Sequence, residues 1–102
     1  MQGADMKEEK LRYAILKELS EGNENPTNDL LSDIVTLDDI VKQARFLEEE
    51  GYTCGTDIEG NVIWYGELTT RAKNNLEENY NWSEAYNLSK KLGKWIVFFA
   101  EE

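Results

Sequence analysis

The hydrophobic period of the sequence changes at Gly51-Tyr52, and that change restricts the chain to few architectures. Before it, TLDDIVKQARFLEEEGY (residues 36–52) places apolar residues at helical spacing, with Leu37, Ile40, Val41, Ala44 and Leu47 on one face. After it, YTCGT and NVIWY are short β-prone runs joined by DIEG, and Gly60 and Asn61 suit the positive φ angles of a hairpin turn. The helix over residues 36–50 also carries its own start signal. Thr36 is a good N-cap, Asp39 makes an acidic variant of the capping box, and Asp38 and Asp39 both favour the positive end of the helix dipole.

The flanking segments follow helical periods. From Lys7 to Glu21 a stripe of Leu11, Ala14, Ile15, Leu16 and Leu19 predicts a first helix, ended by Gly22 and the polar NENP. Thr27 or Asn28 caps a short second helix carrying Leu30, Leu31 and Ile34. Beyond the hairpin, LTTRAKNNLEENY predicts a helix capped by Thr69 or Thr70, with Ala72 and Leu76 inward. Asn81 with Glu84 forms another capping-box candidate. From there Ala85, Leu88, Ser89, Leu92, Trp95, Ile96 and Phe99 keep helical spacing to near the C-terminus, with Gly93 the weak point.

This order predicts an α+β, mainly α fold: a winged helix-turn-helix with a three-helix core and a β-hairpin wing over residues 7–80. Residues 81–102 form an appended C-terminal helix, packed on the same domain or at a dimer interface, and residues 1–6 are expected to be mobile. The helix over 36–50 takes the place of a recognition helix. Residues 52–65 form the wing, with Tyr52 pairing at the start of the sheet.

Charge opposes the usual use of such a fold. The 102 residues carry 21 acidic and 11 basic side chains, a net charge of -10, whereas DNA binding draws on lysines and arginines at phosphates. On the outer face of helix 36–50, Asp39, Lys42, Phe46 and Glu49 point away from the core. Lys42, Gln43 and Arg45 are the candidate DNA contacts, but Asp39 and Glu49 would meet phosphates of the same sign. The wing tip adds Asp57 and Glu59 and no cation. The basic residues cluster elsewhere, as Lys7, Lys10 and Arg12 near the start and as Lys90, Lys91 and Lys94 in the last helix; the last three are expected to favour the C-terminal end of the helix dipole and to solvate its outer face.

Phe46, on the face opposite the core, must be either exposed or covered by something the minimal fold lacks. The appended helix, rich in aromatics from Trp82 to Phe99, can lie over it and block a groove approach; a second subunit is the other cover. The plainer alternative is that these aromatics close the core against the first helix.

Catalysis is not expected, because close carboxylates in so acidic a chain are usually solvated helix faces. Cys54 is the single cysteine and there is no histidine, which removes an internal disulfide, a Cys/His zinc site and histidine-based catalysis. Cys54 is expected to pack within a strand. No metal site or cofactor is expected. WIVFFA, residues 95–100, is far shorter than a membrane span, and a cytoplasmic place in a bacterial cell is expected.

KLRYAILKELSEGN, DDIVKQARFLEEEGY and ELTTRAKNNLEENYNWSEAYNLSKKLGKWI together resemble the YjcQ-like family of small winged-helix proteins of Gram-positive bacteria and their phages and prophages. The resemblance spans nearly the whole chain after Met6. It implies the fold and a phage or prophage origin, and carries over no catalytic residues. The chain departs from winged-helix habit at Ala72, where Leu-Thr-x-Lys-Gly is common, and in the apolar VFF near its end.

The expected function is a non-enzymatic acidic interaction module, an accessory or regulatory protein that docks on a basic, nucleic-acid-binding surface of a host protein. Its expected contacts are Asp38, Asp39, Lys42, Phe46, Glu49, Asp57 and Glu59, with Glu48 and Glu50 adding to the acidic surface. The alternative is a DNA-binding transcription regulator, dimeric through its C-terminal helix, that uses Lys42, Gln43 and Arg45.

Overall fold

The computed structural model describes residues 3–93, 98 and 99. It is α+β and mainly helical, with two small antiparallel ladders. The first helix, α1 (Gly3–Ser20), begins ahead of the Lys7 expected from the sequence. Leu11, Tyr13, Ala14, Ile15 and Leu16 are all buried in it. Burial at consecutive helical positions, from Tyr13 to Leu16, marks a central helix, and α1 is flanked by α3 (Leu37–Glu49), α4 (Thr70–Glu78) and β4 (Glu67–Leu68). It ends where the Asn23 amide returns to the Glu18 carbonyl at 3.0 Å.

The second helix, α2, is a single turn over Thr27–Leu30. Pro26 is its N-cap, not Thr27 or Asn28, and no side chain caps it. Leu31 and Ile34, expected inside it, fall beyond its end. Thr27 instead spends its buried hydroxyl on the Tyr65 phenol, which ties α2 to the hairpin.

The strands divide the labour differently from the sequence reading. β1 (Thr53–Cys54) pairs with β4 in the register Thr53↔Leu68 and Cys54↔Glu67, and the Thr69 amide extends the ladder to the Tyr52 carbonyl at 3.1 Å. Between them β2 (Asp57–Glu59) pairs with β3 (Val62–Trp64). DIEG, expected to be the connecting loop, thus supplies a strand and the turn glycine. Gly60 has φ +60, while Asn61 keeps a negative φ, contrary to expectation. Cys54 is exposed rather than packed.

Gly66 is what lets the base ladder close. Its φ is +79, and a Cβ there would lie 2.2 Å from the Cys54 carbonyl oxygen. No side chain fits that position.

Thr69 caps α4 as expected, accepting from the Ala72 amide, and Ala72 is fully buried. The Asn81/Glu84 box does not form. Asn81 sits in a 3-10 turn (Tyr80–Trp82), and α5 (Ser83–Leu92) starts after Trp82 without a side-chain cap. α5 stops at Gly93 in the left-handed region, φ +69, so the continuous helix expected to near the C-terminus is cut short there. Trp95 and Ile96 lie outside the described residues.

α5 packs on α1, not over α3. Tyr86, fully buried, meets Tyr13 edge to face at 5.9 Å and donates its hydroxyl to the Glu18 carboxylate. Trp82 and Phe98 complete an aromatic cluster around Tyr13, at 5.7 and 6.2 Å between ring centroids. Such contacts add about 0.5–1.5 kcal/mol each beyond area burial. The plainer alternative for these aromatics therefore holds among the described residues: they close the core against the first helix.

Two basic residues, Lys10 and Lys90, the second of them expected to solvate the outer face of the last helix, have structural duties. Lys10 is buried and donates to the Phe98 carbonyl at 2.9 Å. Lys90 meets the Glu18 carboxylate at 2.9 Å and Glu21 at 3.3 Å.

Candidate functional site

The outer surface of α3 and the outward face of the β2–β3 hairpin carry the residues the sequence singles out. At the start of α3 the capping box is complete: the Asp39 amide donates to the Thr36 hydroxyl at 3.1 Å and Asp39 Oδ2 accepts from the Thr36 amide at 3.0 Å. That hydrogen bond from Thr36, helped by the charge of Lys7 3.7 Å away, holds the Asp39 carboxyl below the usual aspartate range. Asp38 is exposed beside it.

Of the three candidate DNA contacts, one is withdrawn and one is occupied. Gln43, expected on the accessible face, is buried at 1% exposure and accepts from Arg12 Nε at 2.6 Å. Lys42 reaches Glu8 at 2.7 Å, and this hydrogen bond with its charge raises the lysine above its ordinary value. Arg45 is exposed.

Phe46 is half-buried, and its cover comes from α1 instead of the last helix. The Arg12 guanidinium lies over its ring, 3.8 Å from the centroid. A guanidinium so placed gains both cation–π attraction and packing. Hydrophobic patterning on α3 alone has no access to this contact.

The structure brings Lys42, Gln43, Arg45, Phe46 and Glu49 to one shallow depression of about 300 Å³. An adjoining cleft of about 270 Å³ separates α3 from the hairpin, with Arg45, Glu48 and Glu49 on one side and Asp57 on the other. Glu48 bridges its base by accepting from the Thr56 amide at 2.9 Å. Asp39 faces a different cavity, shared with Lys7 and Glu8. The candidate residues thus form a band and not one pocket.

The hairpin supplies what the sequence reading missed. Its register is Asp57↔Trp64, Ile58↔Ile63 and Glu59↔Val62. Ile63 is buried, so its strand neighbours Val62 and Trp64 face outward, together with Asp57 and Glu59 across the ladder. Trp64 is 51% exposed and Val62 48%. The signal was available in NVIWY, since period-two alternation places Val62 and Trp64 opposite Ile63 and Tyr65. Tyr65 anchors the inner side: burial raises its phenol, and Thr56 Oγ1 donates to its carbonyl at 2.8 Å.

Among the described residues no group of three histidine, cysteine or acidic side chains is placed to hold a metal ion. No helix there is long and apolar enough to cross a membrane.

No protein-family model matches the chain, and no solved structure matches it. A Bacillus subtilis (strain 168) protein described as "Uncharacterized protein YjcQ" is 43% identical over 96 residues. That alignment covers 89% of this chain and 99% of the relative. With that identity over nearly the whole of both chains, the protein belongs to the YjcQ family.

Proposed function

We propose that the protein is a non-enzymatic interaction module of winged-helix type that binds a basic protein surface through the acidic, aromatic face of its hairpin. The carrying observation is the sharing of one face by Asp57, Glu59, Val62 and Trp64, with the indole half exposed. Carboxylates beside an accessible indole suit lysine and arginine side chains, which gain an ion pair and a cation–π contact in one site. The net charge of -10 adds long-range attraction for a cationic partner and repulsion for a polyanion.

The winged-helix assignment rests on the order of three helices, a hairpin and returning helices. The setting implied by the resemblance, an accessory protein of a Gram-positive bacterium or its phages acting in the cytoplasm, belongs to the same proposal. Self-association through α5 has in its favour exposed Leu88 and Leu92, one helical turn apart.

The test is retention of a basic, nucleic-acid-binding protein from a Gram-positive lysate by the wild type, compared with a triple variant Asp57→Asn, Glu59→Gln, Trp64→Ala. The expected result is retention by the wild type, loss by the variant, and release on adding DNA. Equal retention by both proteins, or recovery of no basic protein, overturns the proposal.

DNA binding keeps a second place because Arg45 is exposed on the helix that precedes the wing. The burial of Gln43 and the pairing of Lys42 weigh against it. A mobility shift at low salt, where phosphate contacts are strongest, decides this reading, and failure to shift any genomic fragment ends it.

A further inference from the structure

The four outward residues of the hairpin are ordered in rows. In the register of the ladder Asp57 faces Trp64 and Glu59 faces Val62. Both carboxylates stand on β2 and both apolar side chains on β3. Cross-strand neighbours lie about 5 Å apart, and residues two apart along one strand about 6.5–7 Å. Each cross-strand pair is thus one carboxylate beside one apolar side chain, and the pair repeats once along the ribbon.

All four side chains are exposed. Among the described residues no hydrogen bond, ion pair or ring contact engages the side chain of Asp57, Glu59 or Trp64. Elsewhere the chain supplies its own counter-charges: Lys7 meets Asp39, Lys42 meets Glu8, and Arg71 comes to 3.9 Å of Glu50. Three rings also carry a cation of the chain, with Arg12 over Phe46 at 3.8 Å, Arg71 over Tyr52 at 4.6 Å and Lys10 over Phe98 at 5.4 Å. Trp64 has none, although an indole attracts cations more strongly than the other rings. Arg45, across the cleft from Asp57, engages neither of them.

The cation that suits such a pair is a guanidinium. It is planar, stacks on an aromatic face, offers a carboxylate two parallel donors and sheds water more readily than an ammonium. An arginine laid over Trp64 reaches Asp57 across the ladder, and a second, with its stem along Val62, reaches Glu59. The two arginines must then leave the same side of the partner about 6.5–7 Å apart. Alternate residues of an extended segment have this spacing, whereas adjacent ones point to opposite sides.

We propose that the outward face of the hairpin binds an extended segment of a partner protein with arginines at alternate positions, one on Asp57 and Trp64 and the next on Glu59 and Val62. Charge complementarity carries the choice of occupant, since two unpaired carboxylates stand in a chain whose net charge is already -10. The inference rests on the basic-partner reading above and narrows it to guanidinium chemistry and to one spacing.

End-blocked glycine-serine peptides with two arginines, either adjacent or separated by one residue, are titrated into the isotopically labelled full chain while the Trp64 indole signal is followed by NMR. A lysine form of the alternate peptide and an alanine-based helical peptide with arginines four residues apart complete the set. The expected result is a saturable shift with the alternate arginine peptide, with Kd at or below about 1 mM. The adjacent isomer, which fills one pair at a time, binds about tenfold more weakly, and the lysine and helical forms also bind more weakly. Asp57→Asn, Glu59→Gln and Trp64→Leu each weaken the alternate peptide, while Glu24→Gln, which removes the same charge from an exposed loop, leaves it unchanged. Equal binding of the adjacent and alternate isomers, equal binding of the lysine form, tighter binding of the helical peptide, or equal weakening by Glu24→Gln overturns the inference and leaves the wider reading standing. Absence of any saturable shift overturns it as well, and retention of a basic protein in the lysate test would then uphold the wider reading without it.

Discussion

Arg12 on the central helix donates through Nε to Gln43 Oε1 on α3 at 2.6 Å, while its guanidinium covers the ring of Phe46. One side chain therefore fixes two residues of α3, and it does so from a position 31 residues before the first of them, Gln43.

Gln43→Met keeps the buried volume and removes the acceptor. We expect a loss of about 1.5–3 kcal/mol, the range for a hydrogen bond to a charged group. Arg12→Met gives the other corner of a double-mutant cycle, and urea unfolding of the four proteins measures the coupling. Additive losses would mean that the two side chains act separately.

Glu18 is the pin between α1 and α5. It is 2% exposed and accepts from Tyr86, Asn23 and Lys90. Glu18→Ala strips several donors of their acceptor and is expected to cost about 3 kcal/mol, with Glu18→Gln closer to the wild type because its amide oxygen still accepts. Comparable losses for both variants in thermal unfolding would show that the charge, and not the acceptor, matters.

The pH response has opposite signs at two places. The hydrogen bond to Glu18 raises Lys90, so its contribution is complete below the unfolded lysine value and is lost as pH rises through the folded one. The Thr36 hydrogen bond lowers Asp39, so its contribution is present above the unfolded aspartate value and is lost as pH falls through the folded one. The Tm difference between wild type and Lys90→Met should close at strongly alkaline pH, and that between wild type and Asp39→Asn at strongly acidic pH. Both side chains are well exposed, so solvent screening keeps the differences small.

Gly66 and Gly60 share a positive φ but differ in surroundings. At Gly60 an added Cβ meets nothing within 4 Å, whereas at Gly66 it meets the Cys54 carbonyl at 2.2 Å. Gly60→Ala is expected to cost about 1 kcal/mol. Gly66→Ala is expected to cost more, on the order of 2–3 kcal/mol, because backbone must shift as well. Equal chemical stabilities of the two variants would contradict the close approach.

Local signals in the sequence carried much of this fold. The Thr36–Asp39 box and the Thr69 cap involve residues three apart, so the chain itself contains both partners. The apolar stripe of α3 likewise puts Ile40, Ala44 and Leu47 in the core. Long-range partners were not legible. Gln43 is polar and lies at the stripe's edge, and only the approach of Arg12 makes its burial affordable. Lys10 is buried because the Phe98 carbonyl arrives 88 residues later to receive its proton donor. DIEG read as a turn because acidic residues and glycine disfavour strands, whereas outward positions on a two-stranded ribbon tolerate Asp57 and Glu59.

The β1–β4 ladder, closed at Gly66, pins both ends of the excursion from Gly55 to Tyr65 before the hairpin begins. The outward residues Asp57, Glu59, Val62 and Trp64 can therefore change without disturbing the helices beneath. Family members that share this clasp are free to diverge at its tip, so sequence differences among them should accumulate there first, as lettering changes on a key whose shaft stays the same.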